Sequence, residues 1–187
     1  MIDVIAMTEQ KEIEEWIRQI GTGDIDHQRE ASRSLSDAGE AAVAPVIEAL
    51  AASTDPDERW YLAGALSRMG WPALDPLIAA IRARRDPGFR RYASAALAGI
   101  GEDAVAPLID LLEVEDDAEL RGFAAQALAR IGEPALEPLR EAVEAGGTRG
   151  AVAGLVLWRM EEPGIRTLVG VVAPCDGSAR TDSGPRV

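Results

Sequence analysis

Apolar positions in this chain recur at three- and four-residue intervals, the spacing that gathers them onto one stripe of an α-helix. Over 90–100 they are Ala93, Ala96, Leu97 and Ile100, and over 102–112 they are Val105, Leu108, Ile109 and Leu112. Gly101 stands between the two stripes, which predicts two helices joined at a glycine in the left-handed C′ conformation. The pairing returns every 31 residues: Gly39, Gly70, Gly101 and Gly132 mark the joints. Leu35, Leu66, Leu97 and Leu128 precede them by four residues, and Pro45, Pro76, Pro107 and Pro138 follow by six. Columns in register over four units indicate a tandem array.

Each first helix is expected to start at an aspartate: Asp55 and Asp86, each followed by proline, or Asp117. A carboxylate there accepts an orphan backbone N–H, and proline has none to lose. The proline of each second helix falls early, where a missing N–H costs least. "TEQKEIEEWIRQI", 8–20, reads as a lone helix of the second type, capped by Thr8, with Ile13, Trp16, Ile17 and Ile20 inward. At the other end "VLWRMEEPGIRTLV", 156–169, matches "ALARIGEPALEPLR", 127–140, with Glu161 in place of the glycine and Thr167 in place of the proline. A degraded terminal unit is expected where one face meets water. The organisation is therefore a capping helix over 1–23, repeats over 24–54, 55–85, 86–116 and 117–145, a degenerate unit over 146–170 and a disordered tail over 171–187. The fold class is all-α, a right-handed α-solenoid of about four and a half helix pairs.

The strings "RWYLAGALSRMGWPALDPLI" and "RRYASAALAGIGEDAVAPLI" resemble the short HEAT-like repeats of the phycobilisome (PBS) lyase type, over about residues 24–170. The resemblance implies an ARM-type superhelix whose second helices line a concave face, and a protein that acts as an interaction platform. Two enzymatic relatives of that architecture fit poorly. Deoxyhypusine hydroxylases hold di-iron with His-Glu dipeptides, whereas the single His27 is followed by Gln28. HEAT-like alkylpurine DNA glycosylases need a basic concave surface.

Composition narrows the chemistry. One cysteine, Cys175, and one histidine, His27, cannot build a disulfide framework or a Cys/His zinc site within one chain, so no cofactor, metal or catalytic residue is expected. The loop "EVEDDAEL" lacks the glycine turn of a calcium site and reads as a solvated turn. No apolar run reaches the length of a membrane span, which leads to the expectation of a cytoplasmic protein without membrane contact. A net charge of −13, with Lys11 the only lysine among 19 basic residues, disfavours nucleic acid as a partner.

Charge is unevenly placed. Residues 1–58 carry −10, 59–95 carry +5, 96–145 carry −9 and 146–187 carry +1. The positive block contains Arg82, Arg84, Arg85 and Arg91, which antiparallel helices bring to the edge where Trp60 is expected to be exposed. Arginines beside an exposed tryptophan suit a partner-binding edge; capping of a helix C-terminus and packing of the tryptophan explain the same residues without a partner. On the second helices, Asp75, Asp110, Glu113, Glu137, Glu141 and Glu144 fall on the outward columns, forming an acidic stripe that would steer a basic segment; an ordinary solvated face is the competing reading. Asp55, Asp86 and Asp117 precede Arg59, Arg90 and Arg121 by four residues, which suggests a structural Asp–Arg ladder tying the units together. The function expected is a non-enzymatic protein-binding scaffold that takes a basic or amphipathic segment on its acidic concave face. The alternative, a lyase or chaperone-like factor handling a tetrapyrrole or its acceptor protein, rests on the resemblance alone.

Overall fold

The computed structural model describes residues 2–113 and 117–172, and it is helical with no strand among them. In chain order the helices are α1 (Ile2–Thr22), α2 (Ile25–Asp37), α3 (Glu40–Ala52), α4 (Pro56–Met69), α5 (Trp71–Ala83), α6 (Pro87–Ile100), α7 (Val105–Leu111), α8 (Ala118–Ile131), α9 (Leu136–Ala145) and α10 (Gly147–Val172). Short 3₁₀ turns, Glu102–Ala104 and Glu133–Ala135, lead into α7 and α9. One layer is the run α2, α4, α6, α8 and α10, each packed on the next. In the other, α1 packs on α3, α3 on α5, and α7 on α9. This two-layer stack is the arrangement of an α-solenoid.

The aspartate at the head of each first helix acts as its N-cap. Asp55 accepts from the N–H of Asp57 and Glu58, Asp86 from those of Gly88 and Phe89, and Asp117 from that of Leu120. Asp24 does the same for α2, accepting from Asp26 and His27. Pro56 and Pro87 occupy the first helical position, where proline's fixed φ is already helical.

The joints differ from the left-handed C′ turn expected of them. Gly70 has φ 68° and ψ −133°, in the mirror image of the extended region rather than in the left-handed helical well. That conformation lets one residue end α4 and begin α5, so the two helices share a corner with no linker. The Gly70 carbonyl accepts from the N–H of Ala73, which starts the second helix at once. Ala73 and its counterparts Ala42, Ala104 and Ala135 are fully buried, because a larger side chain would hold the two helices apart.

Three other expectations also change. Pro45 and Pro76 lie in the second turn of α3 and α5, where each removes a bond to the carbonyl four residues earlier. In the last two pairs a 3₁₀ turn intervenes, and Pro107 and Pro138 fall in the first turn of α7 and α9. Thr8 does not cap α1, which starts at Ile2; Ile13 and Ile20 are buried as expected, with Trp16 and Ile17 partly so. The fifth unit is one helix, not a pair: α10 runs through Glu161, because glutamate cannot take the positive-φ corner that glycine provides elsewhere. Val171 and Val172 extend this helix, while residues 173–187 of the expected tail, Cys175 among them, lie outside the described residues, as do 114–116 of the "EVEDDAEL" turn.

The core is aliphatic. Leu35, Leu66, Leu97 and Leu128 are all fully buried, each contributing about 1.5–3 kcal/mol by leaving water. At the end of the stack α10 packs tightly on α9. A Cβ at Gly150 would stand 2.8 Å from the Ala142 carbonyl oxygen.

Candidate functional site

Two of the repeated arginines, Arg59 and Arg90, pair between units rather than within them. Arg90, on α6, donates through Nε to the carbonyls of Arg84 (2.7 Å) and Ile81 (3.3 Å), at the C-terminus of α5. Its Nη2 and Nη1 donate to the two carboxylate oxygens of Asp117, at 2.7 and 3.0 Å, and Nη1 also reaches Glu119. One guanidinium therefore joins three consecutive units, satisfying orphan carbonyls on one side and holding the next N-cap on the other. Arg59 repeats the pattern, donating to the Ser53 carbonyl at 2.7 Å and to Asp86 at 3.3 Å. Gln28, in the same column of the first unit, donates to the Ile20 carbonyl at the end of α1. Within a unit, the link from Asp55 to Arg59 is only the first backbone bond of the helix.

The carboxylates of the expected acidic stripe are exposed, and part of them is already neutralised. Arg149, from α10, lies 3.5 Å from Asp110 and 3.2 Å from Glu113. Arg140 reaches Glu137 at 3.3 Å. Asp75, Glu141 and Glu144 are exposed and have no ion pair among the described residues. A hollow of about 330 Å³ between α7, α9 and α10 is lined by Ala106, Ile109, Asp110, Pro138, Glu141, Ala142, Ala145 and Arg149. Its floor is apolar and its rim carries charge of both signs.

Trp60 is 61 % exposed, but the arginines expected beside it go elsewhere. Arg84 turns toward the second layer to pair with Glu48 on α3, and its guanidinium carbon stands 5.6 Å from the Phe89 ring centre. Arg91 lies over Tyr92. Arg82 and Arg85 are exposed, and none of the four lines the hollows that flank Trp60. Trp60 sits on the outer face of the first layer, where its neighbours come from α2, α6 and α8: Arg29 and Arg33 on one side and Arg130 on the other, with Arg68 of its own helix common to both. The column register carried this signal, since Arg29 is the residue one repeat before Trp60.

His27 is exposed, its Nδ1 2.8 Å from the Asp24 carboxylate, and that hydrogen bond raises its pKa above the usual 6.5. Among the described residues no three His, Cys, Asp or Glu side chains are grouped to hold a metal ion, and no helix is long and apolar enough to cross a membrane.

No curated protein matches the chain. Among solved structures, a de novo designed 16-helix transmembrane nanopore aligns at 20 % identity over 92 % of this chain and 58 % of its own, with a TM-score of 0.24. The chain thus spans under two thirds of that designed protein. Residues 74–156, from α5 into α10, match the family model of HEAT repeats, which together with the stacked helix pairs supports a HEAT-like repeat protein.

Proposed function

We propose that this protein is a non-enzymatic binding scaffold whose second-helix layer takes a basic or amphipathic protein segment on its acidic C-terminal half. HEAT repeats generally mediate protein–protein interaction, which supports the scaffold role. The observation that carries the acidic face is Arg149, whose guanidinium lies between Asp110 and Glu113 at the edge of an apolar hollow. An incoming arginine would meet the same carboxylates, with Glu141, which has no ion pair among the described residues, on the same hollow. Aliphatic side chains of an amphipathic helix would settle on Ala106, Ile109, Ala142 and Ala145. In this reading the stack is right-handed and the second helices form its concave side.

Titration of an arginine-rich amphipathic peptide against the wild-type chain and a Glu137→Arg/Glu141→Arg variant tests the assignment. The affinity is expected to fall by about tenfold or more in the variant and to weaken with added salt. Equal binding by the two proteins would remove the acidic face from the proposal.

A further inference from the structure

The opposite layer carries a site of opposite sign. Trp60, Gly64 and Arg68 lie one turn apart along the outer face of α4. On the α2 side they border a hollow of about 340 Å³ with Arg29, Ser32 and Arg33; on the α6 side they border one of about 290 Å³ lined by Ala95, Ala96 and Arg130. Gly64, which has no side chain to divide them, lines both hollows, as do Trp60 and Arg68.

No carboxylate lines either hollow, in a chain with 32 acidic residues. Arg33 and Arg130 have no ion pair among the described residues, and Arg29 approaches only Asp26, at 3.7 Å on an exposed surface. Arg68 is held in place by neutral partners: Nη2 donates to the Ser32 carbonyl and hydroxyl at 2.9 and 2.6 Å, and Nε to the Ser36 hydroxyl at 3.1 Å. Ser32 is itself buried and donates to the Tyr61 carbonyl, which fixes α2 against α4. Burial, followed by the charge of Arg33, lowers the Arg68 pKa, with Asp37 partly opposing. A guanidinium placed where it is partly desolvated and faces a like charge is poised for an anion from outside.

The other units show that this is not a requirement of the repeat. The Trp60 column holds Arg29, Arg91 and Gly122, and the Gly64 column holds Arg33, Ala95 and Gln126. Only in the second unit do a tryptophan and a glycine coincide with arginines on the adjoining helices.

We infer that the outer face of α2, α4 and α6 is a second docking site, for an acidic protein segment that lays an apolar side chain against Trp60 and its carboxylates on Arg29, Arg33 and Arg68. An exposed indole ringed by guanidinium groups is the composition of an interface hot spot. The overall charge of −13 works against a long polyanion, whose phosphates need a more extended basic track than these few side chains, and so favours a short acidic peptide over nucleic acid. This site is on the other layer from the acidic face and does not depend on it.

The test is fluorescence anisotropy of a short labelled peptide alternating Glu with Leu, added to the full chain and to variants whose fold is checked by circular dichroism. Trp60→Ala and Arg29→Glu/Arg33→Glu are each expected to weaken binding by about tenfold or more. Gly64→Leu, a substitution helices tolerate, is expected to do the same by filling the hollows. Glu141→Arg/Glu144→Arg, on the acidic face, should leave affinity unchanged. Undiminished binding in the Trp60 and arginine variants, equal binding of a peptide with Gln in place of Glu, or tighter binding of a single-stranded oligonucleotide at the same residues would each overturn the inference.

Discussion

Arg90 and Asp117 meet through two parallel N–H···O bonds at 2.7 and 3.0 Å, with the guanidinium 1 % exposed and the carboxylate at the N-cap of the next unit's first helix. The pair is a buried joint between neighbouring repeats. Removing one partner of such a pair leaves the other without compensation, so Arg90→Ala is expected to lower unfolding stability by about 3–5 kcal/mol in chemical denaturation. Arg59→Ala, whose partner Asp86 is half exposed, should cost less.

The same joint predicts the acid limb of stability. Hydrogen bonds from Arg90, then from the Leu120 N–H, hold the Asp117 carboxyl below its usual pKa; the N–H of Phe89 is the largest cause of the same shift at Asp86. A carboxyl with a lower pKa in the folded chain than in the unfolded one adds stability that is complete above the unfolded value of 3.8 and is lost as pH falls toward the folded value. Denaturation midpoints are therefore expected to fall below about pH 4, with a shallower fall in Asp117→Asn.

His27 has the opposite sign. Its raised pKa means that its pairing with Asp24 stabilises fully below 6.5 and is lost as pH rises through the higher folded value. Since both groups are exposed the effect is small. His27→Gln should flatten the slope of stability just above pH 6.5, as read by thermal unfolding across that range.

Two glycines separate backbone need from side-chain space. Nothing lies within 4 Å of a Cβ built at either Gly70 or Gly122. Gly70 has φ 68°, so Gly70→Ala is expected to destabilise by about 1–3 kcal/mol through strain alone. Gly122 is inside α8 and has no positive φ, so Gly122→Ala should stabilise by about 0.5–1 kcal/mol. Equal effects in thermal melts would contradict the corner geometry.

Where the sequence was legible, the reason was periodicity. A leucine or glycine recurring at fixed spacing reports a contact repeated in every unit, and Leu35, Leu66, Leu97 and Leu128 are buried accordingly. Contacts between units were harder to read. The four-residue spacing of Asp86 and Arg90 suggests a ladder tying the units together without giving its register: the guanidinium reaches the aspartate 27 residues ahead, because the next unit's N-cap stacks directly beside it. The neighbours of Trp60 were missed for a related reason: lateral packing follows the columns, so the adjoining arginines come from α2 and α8 and not from the end of α5. The end of the array was obscured by similarity itself, since "VLWRMEEPGIRTLV" keeps the apolar stripe while Glu161 stands at the joint position where the other units have glycine.

The most direct measurement is calorimetric titration of an arginine-rich amphipathic peptide into Arg149→Ala, beside wild type. Asp110 and Glu113 hold Arg149 in the free protein, so its removal exposes two carboxylates to the peptide. The account predicts tighter, more salt-sensitive binding by the variant, reversed by adding Glu141→Arg. Unchanged or weaker binding by a folded Arg149→Ala protein would contradict it.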